Sequence, residues 1–320
     1  MMIRLRCMAL LLLILLPGPP LAAQAPQRTM AITIDDLPAN TLERDSLDYW
    51  RELTDGILVH CRTAGVRAVG FVNEGKLYRD GRLDRSRVDL LRAWLAAGME
   101  LGNHTFSHPD LHRVPVDSFL ADAEKGQQVT RALLAARNDR PRWFRHPYLH
   151  TGTDSLTRSR VAGWLEDNGY AVAPVTIDNS EWIYARAYEN ALRNGDTGMR
   201  RAIAADYLRY MLAKTAYFES QARGLFEREI PQVLLLHANR LNADHLGDLL
   251  TALKERGYRF VPLADAVADP AYRSADRYFG PAGLTWLHRW ALTRGVEQEF
   301  FAGEPETPPF VLHEAGFERE

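Results

Sequence analysis

Two short polar motifs close apolar runs in this chain. Met30-Ala31-Ile32-Thr33-Ile34 runs into Asp35-Asp36, and Met99-Glu100-Leu101-Gly102-Asn103 runs into His104-Thr105-Phe106-Ser107-His108. One carboxylate and two imidazoles are enough to hold a hydrolytic zinc ion with an open coordination position. The second carboxylate is then free to take a proton from water activated by that ion. His104 and His108 lie four residues apart and share a face if the segment turns helically, although Pro109 limits any such turn to a short one. Adjacent carboxylates after an apolar strand are costly unless solvated, metal-bound or hydrogen-bonded. Successive residues point different ways, so one aspartate can bind a metal while its neighbour faces a substrate.

The elements that must position these groups follow one pattern: a helix-like stretch, a glycine, then a short apolar strand. Ser46 to Ala64 leads through Gly65 to Val66–Val72, and Ser86 to Ala97 leads through Gly98 to the strand ending at His104. Ser155 to Asn168 leads through Gly169 to Tyr170–Val175, and Ala243 to Arg256 leads through Gly257 to Tyr258–Val261. Glycine there fits a left-handed residue just past a helix C-terminus, and the repetition reads as βα units around a parallel sheet. With Ile32–Ile34, Arg142–Phe144 and Gln232–Leu236 the count is about seven strands, which predicts an α/β fold, a distorted (β/α) barrel. Asp35-Asp36, His104, Arg145 and His237 all fall at or just past the carboxyl end of a predicted strand, the rim where such barrels assemble their sites.

Two stretches fall outside the repeat. Helical spacing in 183–229 predicts a helical insertion of two or so helices, and 271–320, with Trp286, Trp290, Phe300 and Phe301, reads as a C-terminal extension packed on the outside. Residues 26–270 then form the main domain. At the amino end, Arg4 and Arg6 precede an apolar run from Met8 to Leu16 and then Leu21-Ala22-Ala23-Gln24-Ala25. This is the pattern of a secretory signal peptide over residues 1–25, too short to span a bilayer comfortably. It predicts an exported protein, periplasmic or extracellular, with no stable membrane insertion after cleavage. Of the two cysteines, Cys7 leaves with the leader and Cys61 reads as a small buried hydrophobe. The formal charge of −2 and the absence of a basic run argue against a nucleic-acid partner.

The motifs together resemble those of the NodB-homology polysaccharide deacetylases, carbohydrate esterase family 4. Thr33-Ile34-Asp35-Asp36 is similar to that family's T-F-D-D-G, and His104-Thr105-Phe106-Ser107-His108 matches its H-[ST]-x-x-H. Arg145-His146-Pro147-Tyr148 matches R-x-P-Y, Asp178-Asn179-Ser180-Glu181-Trp182 resembles D-x-x-D-W, and Leu235-Leu236-His237 resembles L-x-H. The five motifs come in the family's order over roughly residues 30 to 262. The resemblance implies that Asp36, His104 and His108 hold a divalent metal, usually zinc. It implies that Asp35 is a general base oriented and kept ionised by Arg145, and that His237 is the general acid. Glu181 or Asp178 would support His237. Trp182 and Leu235 would shape the substrate pocket, and Tyr148 would offer a backbone amide to an oxyanion. Three positions depart from the pattern: Leu37 stands in place of glycine, Glu181 in place of aspartate, and Ala238-Asn239 in place of an acidic residue after His237.

The expected function is removal of acetyl groups from an N- or O-acetylated glycan or oligosaccharide. Two alternatives stand beside it. One keeps the fold and metal but acts on another C–N amide, such as an N-formyl sugar or a cyclic amide. The other is a non-catalytic periplasmic carbohydrate-binding protein. Tyr184, Tyr188 and Tyr217 are candidate aromatic platforms for a long glycan. Asn239, Asn242 and Asp244 either line the mouth or cap the helix from Ala243. His112, His150, His245 and His288 read as surface residues or as neighbours behind the site.

Overall fold

The computed structural model of the protein describes residues 28–41 and 45–320, so the expected leader lies outside the described residues. The strands are β1 (Arg28–Leu37), β2 (Val69–Val72), the hairpin β3 (Tyr78–Arg79) and β4 (Arg82–Leu83), β5 (Glu100–Asn103), β6 (Trp143–Phe144), β7 (Ala171–Val172), β8 (Gln232–His237) and β9 (Tyr258–Phe260). Seven of them form one sheet in the order β7-β6-β5-β2-β1-β8, with β9 also paired to β1. All of its pairings are parallel. Met30 pairs with both Gln232 and Phe260, so β9 takes the edge of β1 opposite β8. Ile177, just past β7, makes a parallel bridge to Leu234, which draws the two ends of the curled sheet together. This is the expected distorted barrel.

Helices wrap the sheet: α1 (Leu47–Ala64), α2 (Arg85–Ala96), α3 (Val116–Lys125), α4 (Gln128–Ala135), α5 (Ser155–Asp167), α6 (Glu181–Arg193), α7 (Thr197–Phe226), α8 (Arg240–Glu255) and α9 (Leu263–Val267). Gly65 closes α1 at φ 68°, donating its N–H to the Arg62 carbonyl, and Gly98, Gly169 and Gly257 repeat the left-handed turn. A side chain there would be strained.

Alternation along β1 does the positioning. Met30, Ile32 and Ile34 face outward into the core shared with α1 and α8, whereas Ala31 joins Phe71, Trp143 and Val233 inside the barrel. Thr33 and Asp35 continue that inward row, and Thr33 Oγ1 donates to the Leu234 carbonyl at 2.8 Å. The interior is therefore apolar at the bottom and polar at its carboxyl rim.

Residues 181–226 form α6 and α7, and they bury the three tyrosines expected as platforms. Tyr184 donates to Asp206, Tyr188 to Asp244 and Tyr217 to the Phe301 carbonyl. Amphipathic rings satisfy their hydroxyls inward here, so none serves as an exposed platform. After residue 270 come α10 (Trp286–Thr293) and α11 (Pro309–Ala315). This segment does more than cover the outside: Trp290 is 1% exposed, and Glu304, Pro305, Glu306 and Glu320 reach the central cavity. His288 is likewise buried, against the Tyr217 hydroxyl at 3.2 Å.

Candidate active site

A cavity of about 720 Å³ opens at the carboxyl rim, and Asp35, Asp36, His104, His108, Tyr148, Asp178, Trp182, Leu235 and His237 all line it. Arg145 and Glu181 lie behind its wall, fully buried. The residues nominated from the five motifs are therefore brought to one place, and the three tyrosines Tyr184, Tyr188 and Tyr217 are not among the cavity's lining.

Local backbone explains how neighbours in sequence converge. The register between β1 and β2 shifts between Ile34 and Leu37, and Asp36 takes a left-handed φ of 70°. A bulge re-aims side chains. The two aspartates consequently turn toward the same cavity instead of opposite ways: Asp35 Oδ2 and Asp36 Oδ1 each lie 3.8 Å from His104 Nε2. Leu37 is buried where the family motif has glycine, and it fits because Gly70 leaves room; a Cβ there would sit 2.5 Å from Leu37 Cδ2.

The segment 104–108 is a loop, not a helical turn. Thr105 and His108 have positive φ, and the rings of His104 and His108 meet edge-to-face at 4.8 Å. Asp122 of α3 fixes the loop by accepting from Phe106 N, Ser107 N and Ser107 Oγ at 2.8, 2.9 and 2.6 Å. Asn73 donates to the His104 carbonyl at 2.6 Å. Of the eight non-glycine residues with positive φ among those described, five (Asp36, Thr105, His108, Tyr148 and Leu149) lie at or beside this cavity. Such conformations cost roughly 1–3 kcal/mol each and concentrate at functional sites.

Asp36, His104 and His108 form a group able to hold a metal ion. His108 Nε2 lies 3.8 Å from Asp36 Oδ1. The donor chemistry fits: His104 Nδ1 is 2.7 Å from the Arg145 carbonyl, which leaves Nε2 as the free lone pair. Burial keeps both histidines from protonating, lowering them below the ordinary value, His104 furthest. For Asp36 burial works the other way, but Lys76 and the histidines outweigh it and hold the carboxyl well below the usual range. Asn40 Nδ2 donates to Asp36 Oδ2 at 2.8 Å, and Lys76 Nζ donates to the Asp36 carbonyl at 3.0 Å. Neither was found by sequence reasoning; Asn40 sits a short spacing after Asp36, while nothing in the sequence marks Lys76.

Asp35 is 3% exposed, and its Oδ1 has no hydrogen-bond partner. Burial pushes its carboxyl up to about 6, against the opposing charges of Arg145 and His237 and with those of Asp36 and Asp178. Arg145, expected to keep this group ionised, is the strongest of the opposing charges, and at 3.6 Å from Asp35 Oδ2 it offsets only part of the desolvation. Arg145 is anchored by donating to Thr33 Oγ1 at 2.9 Å and stands over the Phe71 ring at 4.7 Å.

His237 ends β8 as the register partner of Asp35. Glu181, at the start of α6, meets His237 Nδ1 at 2.9 Å through Oε2, while its Oε1 accepts from Asn239 and Asn242. Burial would lower the His237 pKa, but this hydrogen bond and charge, with Asp36 and Asp35, raise it to about 9. The two departures at Glu181 and Asn239 therefore match: the second carboxylate oxygen needs donors, and an acid at 239 would repel it. Asn239 also caps α8, accepting from Asn242 N at 3.0 Å. Of the two residues named as support for His237, Glu181 makes the contact. Asp178 accepts from Asn179 N and is pushed up by burial.

Tyr148 is 55% exposed with its ring against His108 at 4.6 Å, and Trp182 is 43% exposed against Phe317 at 5.4 Å. Sequence reasoning missed His146, which lines the cavity, and the flank made by Lys214, Glu304, Pro305, Glu306 and Glu320. Lys214 Nζ pairs with Glu304 at 2.6 Å. A second group, Asp110, His112 and His150, is already satisfied: His150 Nδ1 meets Asp110 at 2.6 Å, and His112 Nε2 accepts from Gly152 N at 3.1 Å.

Residues 22–164 match the family model for polysaccharide deacetylase. Among similar solved structures, an activity-restored mutant of BA3943, a CE4 family pseudoenzyme, is 19% identical; it aligns over 76% of this chain and 68% of its own, with a TM-score of 0.51. Wild-type BA3943 from Bacillus anthracis is 17% identical over 76% and 66%, TM-score 0.50. The peptidoglycan deacetylase PdaC from Bacillus subtilis is 20% identical over 78% and 94%, TM-score 0.49. The stretch 22–164 is similar to a polysaccharide deacetylase domain, and the curled parallel sheet has the fold of carbohydrate esterase family 4.

Proposed function

We propose that the protein is an exported, zinc-dependent hydrolase that removes acetyl groups from N- or O-acetylated saccharides. The observation that carries this reading is the convergence on one cavity of Asp35, the Asp36–His104–His108 group, and His237 backed by Glu181. A divalent ion held by Asp36, His104 and His108 would polarise the acyl carbonyl and make nearby water more acidic. Asp35, half-raised in pKa and with one oxygen unpartnered, accepts the water proton. As the water oxygen bonds to the acyl carbon and the C–N or C–O bond breaks, protonated His237 gives its proton to the departing amine or alkoxide. Glu181 keeps His237 charged and its ring oriented for that transfer. Arg145 holds the Asp35 side of the site in place from beneath. Acetate and the free amine or alcohol leave.

The full set of proton-handling and metal-holding groups favours catalysis over simple carbohydrate binding. The test is acetate release from a panel of acetylated saccharides by the chelated protein with and without added zinc. Zinc-restored release supports the reading; no release from folded, zinc-loaded protein overturns it.

A further inference from the structure

His146 stands at the unspecified position of Arg145-His146-Pro147-Tyr148, between the guanidinium beside Asp35 and the tyrosine on His108. Its side chain is 4% exposed and lines the catalytic cavity. The ring is fixed by aromatic packing: it lies nearly parallel to Phe119 at 6.3 Å and edge-on to Phe144 at 5.1 Å. Yet Nδ1 is enclosed with no hydrogen-bond partner. Buried polar groups are ordinarily paired, and an exception calls for an explanation. Burial, with Arg289, Arg158 and Arg145 nearby, lowers its pKa to about 3, so the imidazole is neutral in any working buffer.

A neutral ring carries one N–H. Enclosing an unpaired donor is the rarer and costlier arrangement, an unpaired acceptor the more tolerated one. The proton therefore belongs on Nε2, and the enclosed Nδ1 keeps the lone pair. A ring edge on the cavity wall then presents a fixed donor that no described protein group uses.

Resting on the deacetylase reading above, we infer that His146 is a substrate-binding residue whose Nε2–H donates to a hydroxyl oxygen of the saccharide ring. The acyl carbonyl is handled at the Asp36–His104–His108 end. His146 instead grips the sugar, and its identity sets which hydroxyl pattern the cavity accepts. Its neutrality suits this task, because a cationic ring would favour anionic groups over hydroxyls.

The test compares His146→Phe, which keeps an aromatic ring between Phe119 and Phe144, with His146→Gln, which restores a donor. Each is assayed on an acetylated saccharide, on its monodeoxy analogues and on a sugar-free aryl acetate. His146→Phe is expected to raise KM for the saccharide roughly three- to tenfold, the worth of one hydrogen bond, with a smaller change for the aryl acetate. His146→Gln should recover part of the loss. One monodeoxy analogue should show the same KM in wild type and His146→Phe, because the partner is gone on either side. An unchanged KM for every saccharide, or an equal loss on the aryl acetate, overturns the assignment. If the wild type cleaves the aryl acetate but no saccharide, the substrate reading itself fails, and this inference with it.

Discussion

At the scale of single residues, the site separates two carboxylates that are neighbours in sequence. Asp36 is drawn far below the carboxylate range by Lys76 and the histidines, while burial lifts Asp35 to about 6. Environment rather than residue type divides the labour, as in other paired-carboxylate sites. Asp35→Asn should keep zinc at wild-type stoichiometry by elemental analysis and lower kcat by at least about 10²–10⁴-fold. Glu181 sets the charge of His237. His237 is raised above its ordinary value, so Glu181 contributes stability that is fully present below that value and is lost as pH rises through about 9. In the proposed mechanism the same shift would keep His237 able to donate its proton up to about 9. Glu181→Gln is expected to move the basic limb of the kcat/KM profile to lower pH, and to lessen the drop in unfolding free energy across that limb in denaturant titrations.

At the scale of elements, much of the frame is legible in the sequence because its signals are local. A glycine past a helix end, an apolar run and a polar residue at its close each depend on a few adjacent positions, and Gly65, Gly98, Gly169 and Gly257 fall where expected. The turning of Asp35 and Asp36 to one side is not legible, because it comes from a register shift against β2, far along the chain. The loop carrying both histidines likewise takes its shape from distant partners: Asp122 on α3 and Asn73 after β2. Asp122→Ala removes three hydrogen bonds from that loop without touching Asp36, His104 or His108. Zinc affinity should fall by roughly 10–100-fold, the usual cost of losing an outer support, as read by competition with a chelating dye. Unaltered affinity would mean that β5 alone positions the pair.

At the scale of the whole molecule, the site draws on the chain from β1 to the C-terminal segment, whose Glu304 is tied to buried Lys214 and whose Phe317 props Trp182. Nothing periodic in that segment announces it as a cavity wall, which is why composition suggests only an outer layer. Binding of an ion to groups gathered from β1 and the loop after β5 should couple to global stability. Zinc at about a hundredfold above its dissociation constant is expected to add about 2.7 kcal/mol, seen as a rise in Tm that His104→Ala abolishes. One further consequence follows from Asp35 and His237 being rung partners on adjacent parallel strands. Their spacing is set by the backbone ladder, so it does not change when loops lengthen or shorten. A single inserted residue within Ile32–Asp35, by contrast, would turn the whole inward row outward. Gene variants that differ by insertions and deletions should accordingly stay functional when the changes fall between elements, and should lose the site at once when they fall inside β1 or β8.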